Sequence, residues 1–198
     1  TFTNGGVSCT GPTKTFTITV NPTVTLNILN DQIVCNGAAV SAMNFSTTAT
    51  GGTTTYAWTN NKPTNGLAAS GTGNIASFTA VNNGTAPDTA TIIVTPTFAN
   101  GGTNCVGTKD TIYVVVNPTA KINAIADKAA CNGSTVASTM PTSTATGGTV
   151  TYTWTNNTTS IGLAASGTGA IPSFTATNTG STAITSTIIV TPTFTNGG

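Results

Sequence analysis

GGTTTYAWTNN, residues 51–61, decides the fold class, because it alternates and because it comes back. Tyr56 and Trp58 fall on one side of the run, and Thr55, Ala57 and Thr59 on the other. A two-residue period is that of a β-strand with one buried face. Further along, the chain reads GGTVTYTWTNN, residues 147–157, with Tyr152 and Trp154 in the same phase.

The recurrence extends outward from this strand. NPT at Asn21 returns at Asn117, CNG at Cys35 returns at Cys131, GLAASGTG at Gly66 returns at Gly162, and TIIVTPTF at Thr91 returns at Thr187, each 96 residues on. Residues 21–102 align without gaps on 117–198, with 48 of 82 positions identical, and residues 1–20 match 97–116 more loosely. Self-similarity at one fixed period marks an array of structural repeats. TFTNGG opens at Thr1 and again at Thr193, so both ends fall at the same phase of the repeat, as expected for a segment of a longer array.

Each repeat reads as several short strands. Phe16, Ile18 and Val20 alternate with threonines, and the aligned segment TIYVVV places Ile112, Val114 and Val116 on the matching face. Ile92, Val94 and Phe98 share a face, Val40 and Phe45 bracket a strand that needs a bulge, and Ile75 and Phe78 mark another. Gly-Gly, Asn-Gly and Asn-Pro separate these runs, as turns require. About seven short strands per repeat predict a β-sandwich. The fold class is therefore all-β, as tandem immunoglobulin-like sandwiches. With joints at Asn21-Pro22 and Asn117-Pro118, residues 1–20 are the last hairpin of a preceding repeat. Residues 21–116 then form a complete sandwich, and 117–198 a sandwich without its last strand. An unpaired sheet edge invites another strand, from the same chain or from residues 9–20 of a neighbouring copy.

Composition narrows the function. The chain holds 49 threonines and only 5% charged residues, with five Lys and four Asp and no Glu, Arg or His. Soluble domains ordinarily carry about 25%. A net charge of +1 without a basic patch gives nucleic acid nothing to bind. No apolar run is long enough for a membrane-spanning helix. Without His or Glu, neither a Ser-His-Asp nor a Cys-His arrangement can be built, and the aspartates do not form a close pair, so no enzyme activity and no cofactor are expected. Asp31 and Asp127 lie near the joints but stand alone, whereas calcium needs several oxygen ligands. With no CxxC and no His, the cysteines do not read as a metal site. Trp58 and Trp154 recur on a strand with alternating neighbours, which places them in the core rather than on a sugar-stacking surface.

The motifs TITVNPT (Thr17–Thr23), DQIVCNG (Asp31–Gly37), YAWTNN (Tyr56–Asn61), GLAASGTGNIASFTA (Gly66–Ala80) and TIIVTPT (Thr91–Thr97) resemble the PKD-like and immunoglobulin-like repeats of large secreted Bacteroidota surface proteins. The resemblance covers nearly the whole chain. It implies an extracellular stalk, filament or adhesin at the cell surface, whose partners are neighbouring repeats, copies of the chain or surface glycans. The alternatives are a glycan-binding adhesion module or accessory repeats of a large secreted enzyme. It also implies O-glycosylation where Asp precedes Thr and a small or aliphatic residue. Asp88-Thr89-Ala90 and Asp110-Thr111-Ile112 fit, so Thr89 and Thr111 are the candidates, whereas the second copy has Ile184 in place of the aspartate.

Cys9, Cys35, Cys105 and Cys131 follow the period, two per repeat. In an extracellular array such pairs favour disulfides. We expect Cys35–Cys105 within one sandwich, closing a long loop worth about 4 kcal/mol in the chain-entropy model. Cys9 and Cys131 would then pair outside the segment. The other pairing, Cys9–Cys35 with Cys105–Cys131, would cross each joint.

Overall fold

The computed structural model describes residues 1–27 and 29–196, so Ile28 of the span 21–116 and the last two residues of 117–198 lie outside it. An N-terminal hairpin comes first, β1 (Phe2–Asn4) and β2 (Val7–Cys9). The first repeat follows as β3 (Gln32–Cys35), β4 (Ala39–Val40), β5 (Thr53–Asn60), β6 (Ser70–Thr72), β7 (Phe78–Thr79), β8 (Asp88–Asn100), β9 (Thr103–Val106) and β10 (Asp110–Asn117). The second contains β11 (Thr135–Val136), β12 (Thr149–Asn156), β13 (Ser166–Thr168), β14 (Phe174–Thr175) and β15 (Ile188–Thr195). Helix is confined, among the described residues, to two short 3-10 turns, Pro63–Asn65 and Thr159–Ile161. None is long and apolar enough to cross a membrane.

The first repeat is a β-sandwich. Its main sheet runs β3-β10-β8-β5-β6, with β9 added to the far end of β8. The facing layer is slight: β4 pairs with β7, and one bridge joins Met43 to Ile75. The inward residues alternate as expected. Ile92, Val94 and Phe98 of β8 are fully buried, as are Ile112, Val114 and Val116 of β10, and Trp58 closes over them from β5. The strand expected between Val40 and Phe45 shrinks to β4 and the Met43 bridge. Val40, Met43 and Phe45 are all buried, which the irregular spacing permits only by breaking the ladder, as in a bulge.

The Trp corner is built the same way twice. Gly71 sits under Trp58, where an added Cβ would lie 2.2 Å from the indole; Gly167 sits under Trp154, at 2.4 Å. Only glycine leaves room for a ring lying flat on the neighbouring strand. Asn60, at the end of β5, uses its side-chain amide to donate to the Leu67 carbonyl at 3.0 Å and accepts from the Lys62 N–H at 3.0 Å. Asn156 repeats both bonds with Leu163 and Thr158, at 2.9 and 3.0 Å. These bonds satisfy buried backbone groups where the strand turns away, which an apolar residue could not do.

The second repeat keeps this half of the sandwich and loses the other. The pairs Thr53↔Ala99 to Asn60↔Ile92 of the first repeat return as Thr149↔Thr195 to Asn156↔Ile188. The sheet stops at three strands, β13-β12-β15. Among the described residues, thirteen buried ones form the core cluster of the first repeat, against three, Trp154, Leu163 and Ile171, in the second.

One expected strand is absent. Residues 15–20 carry the alternating pattern but form no strand, and Phe16, Ile18 and Val20 are 83%, 79% and 87% exposed. The pattern fixes which face would be buried. It does not supply the neighbouring strand that must take up the backbone N–H and C=O groups.

Candidate functional site: an open strand slot

The sequence-predicted residues do not gather into one place. Trp58 and Trp154 are buried, at 8% and 3% exposure, each in its own repeat. Thr89 lies on β8 and Thr111 on β10, both exposed on the outer side of the same ladder. Among the described residues no group of three His, Cys, Asp or Glu side chains comes together. Two open surface depressions, about 530 and 320 Å³, are lined by Thr64 with the loop from Val81 to Asp88, and by Pro22–Thr25 with Thr47–Thr50. The one ion pair described joins Lys62 to Asp88.

The expected Cys35–Cys105 disulfide is not formed, and neither is the joint-crossing pairing: all four cysteines are free. The ladder gives the reason. Cys35 lies opposite Asn117, beside the Asp88 end of β8, while Cys105 lies opposite Phe98 near its other end. Ten residues of extended strand separate these levels, about 33 Å, whereas a disulfide needs Cα atoms within about 7 Å. Cys9 pairs instead with Phe2 in the N-terminal hairpin.

What the structure does bring together is a slot. In the first repeat β10 lies between β8, antiparallel, and β3, parallel. Its place is fixed by two polar side chains and a further backbone bond as well as by the ladders. Asp31 accepts from the Tyr113 N–H at 2.8 Å. Asn82 donates to the Val116 carbonyl at 2.7 Å. Asn36 gives its backbone N–H to the Asn117 carbonyl at 2.8 Å, and its side-chain oxygen accepts from the Asn82 N–H at 2.9 Å. The repetition of Asp31 at Asp127 is the sequence signal for this role.

In the second repeat the equivalent residues, Asp127, Asn132 and Asn178, are all present. The inner lock is already set: the Asn178 N–H donates to the Asn132 side chain at 2.8 Å, as Asn82 does to Asn36. No described segment occupies the position of β10. Its walls are correspondingly looser. Residues 128–131 and 184–187, which match strand segments of the first repeat, are not in strands. Val190, Pro192 and Phe194 are half-buried where Val94, Pro96 and Phe98 are buried. The absent strand would bring three apolar side chains into this core, worth about 1.5–3 kcal/mol each if fully buried.

No protein-family model matches the chain, and no curated protein is found similar to it.

Proposed function

We propose that this chain is a structural segment of an extracellular stalk or filament, non-catalytic, in which sandwiches are joined end to end. One observation carries the reading: the chain enters and leaves the first repeat at opposite poles. At entry, the Asn21 side chain donates to the Asn100 carbonyl and accepts from the Asn100 amide, both at 3.0 Å. Asn100 ends β8. At exit, Asn117 follows Val116, which pairs with Asp88 at the start of β8. Thirteen residues of β8 lie between, about 43 Å of extended strand. A module threaded from pole to pole extends an array with each copy, whereas one with adjacent termini folds the array back on itself.

The joint itself is repeated. Asn196 reaches the Asn117 side chain at 3.3 Å, as Asn100 reaches Asn21. Composition supports the surface location: the outer faces are covered by Thr, Asn and Ser, which hydrate without the nonspecific ionic contacts of a charged surface. O-glycans on Thr89 and Thr111 are part of this reading, since both hydroxyls face outward.

Small-angle scattering of the chain tests it. The expected result is an elongated particle with an axial rise on the order of 40 Å per repeat, visible also in micrographs. A compact particle no longer than one sandwich overturns the proposal.

A further inference from the structure

We infer that the loop 82–87 is a rigid arm that locks the joint between the two repeats, so that the sandwiches are held at one fixed angle rather than on a hinge. The inference rests on the stalk reading and deepens it by naming what stiffens the stalk.

Relative motion is the default for domains joined by a single chain crossing. Here the crossing has no spare residues. Asn117 serves both repeats. Its carbonyl accepts from the Asn36 N–H of the first at 2.8 Å, and its side-chain oxygen accepts from the Asn196 amide of the second at 3.3 Å. Pro118 follows, buried, with its φ fixed by the ring. The Asn36 side-chain amide also donates to the Thr119 hydroxyl at 3.1 Å. These bonds hold the crossing itself. Alone, they leave the second repeat free to swivel about it.

The arm supplies a second point of attachment. The Thr146 N–H donates to the Thr85 carbonyl at 2.7 Å. Beside that bond Pro87 lies over Gly147, where an added Cβ would be 2.9 Å from the proline Cδ and 3.8 Å from the Ala86 Cβ. Thr85, Ala86 and Pro87 belong to the first repeat, and Thr146 and Gly147 to the turn that leads into β12. The contact does not come with the turn. Gly51, the counterpart of Gly147, has nearly the same φ, +82° against +76°, and a Cβ there meets nothing within 4 Å. The backbone requires glycine at both positions; only at Gly147 does a neighbouring repeat require it as well.

An arm can lock a joint only if it is itself stiff, and Asn82 makes it so. Its side-chain oxygen accepts from the Gly84 N–H at 2.8 Å, and its amide donates to the Ala86 carbonyl at 2.9 Å and the Val116 carbonyl at 2.7 Å. One buried side chain thus braces the arm from within and ties it to β10, the strand that enters the joint. Asn178 makes the same internal bonds in the second repeat, to Gly180 and Thr182, both at 2.9 Å. The shape is therefore set by the loop's own sequence and not by the surface it rests on. The arm grips through a backbone bond and a proline ring. Little rotamer freedom is lost in forming that grip, and with no charge in it, salt has nothing to screen.

Pulsed electron-spin distance measurement on the whole chain tests the lock. Labels are attached through Thr55→Cys and Thr151→Cys, equivalent exposed positions within β5 and β12, with Cys9, Cys35, Cys105 and Cys131 replaced by Ser. The expected result is one narrow distance distribution, the same at low and high salt. Gly147→Ala should shift and broaden it. Gly51→Ala strains the same turn but touches no arm, and should leave it narrow. Deleting Gly84 and Thr85, which draws the arm back while keeping Asn82, should broaden it too. A broad distribution before any of these changes overturns the inference, because the joint is then a hinge. So does a narrow one after the deletion, a distribution that Gly147→Ala leaves unmoved, or equal broadening by the two glycine variants; the crossing or the turn would then set the angle. Small-angle scattering separates this from the stalk reading. An elongated particle with broad distances keeps the stalk and loses the lock, whereas a compact particle with narrow distances keeps the lock and loses the stalk.

Discussion

The two repeats are a controlled comparison made within one chain. They share the Trp corner, the Asn bonds at the strand end and the same eight pairs between β5 and β8 or between β12 and β15. They differ in whether a last strand is seated, and the core of buried residues falls from thirteen to three. The difference teaches that this sandwich has two parts. One, around Trp58 or Trp154, holds together on local pairing. The other, around Ile92 and Val94, is closed by Ile112, Val114 and Val116 of β10 together with Met43, Phe45 and Ala90, the last three of which have Thr139, Pro141 and Ser186 as counterparts.

The largest expected effect sharpens that division. Phe98→Ala should destabilise the first repeat by about 3–5 kcal/mol, as truncation of a buried aromatic does. Phe194→Ala should cost the second repeat roughly half of that, since its ring is only partly buried. Denaturant unfolding followed by hydrogen exchange reads the two repeats separately. Equal losses would mean that the second core is closed without a last strand, which would break the comparison.

Next come the glycines beneath the tryptophans. Gly71→Ala and Gly167→Ala should each cost about 1–3 kcal/mol by overpacking, and to the same extent, because the corner is built alike in both repeats. Thermal unfolding monitored by Trp fluorescence checks this; unequal losses would show that the corner also depends on the last strand.

The smallest effect concerns a pair found only in the first repeat. Lys62→Thr, which copies Thr158 of the second, removes the ion pair with Asp88. It should change stability by about 0–1 kcal/mol, because both side chains are partly exposed. Chemical denaturation at low and high salt measures it, with a smaller difference expected at high salt.

The sheet was legible in the sequence wherever alternation and turn residues agreed, as over Thr53–Asn60 and Asp110–Asn117. The tryptophans were legible as core because they recur in phase. The glycines beneath them were not, although the spacing from Trp58 to Gly71 recurs from Trp154 to Gly167. A Gly-Thr-Gly run reads first as a turn, and only the flat ring shows why a side chain is excluded. The cysteines misled because an even spacing along the chain says nothing about which end of the sheet each residue reaches. Residues 15–20 show a related limit. Their pattern declares a strand and its buried face, but pairing depends on an edge supplied from elsewhere.

The parallel pairing of β3 with β10 has a mechanical consequence. The first and last strands of the complete repeat run side by side, joined at Val114↔Gln32 through Asn117↔Cys35. Tension applied at the two joints pulls these strands lengthwise past each other. Their hydrogen bonds are then loaded together in shear, rather than peeled apart one by one. The patch that closes the core of the first repeat is thus also the clasp that bears the load.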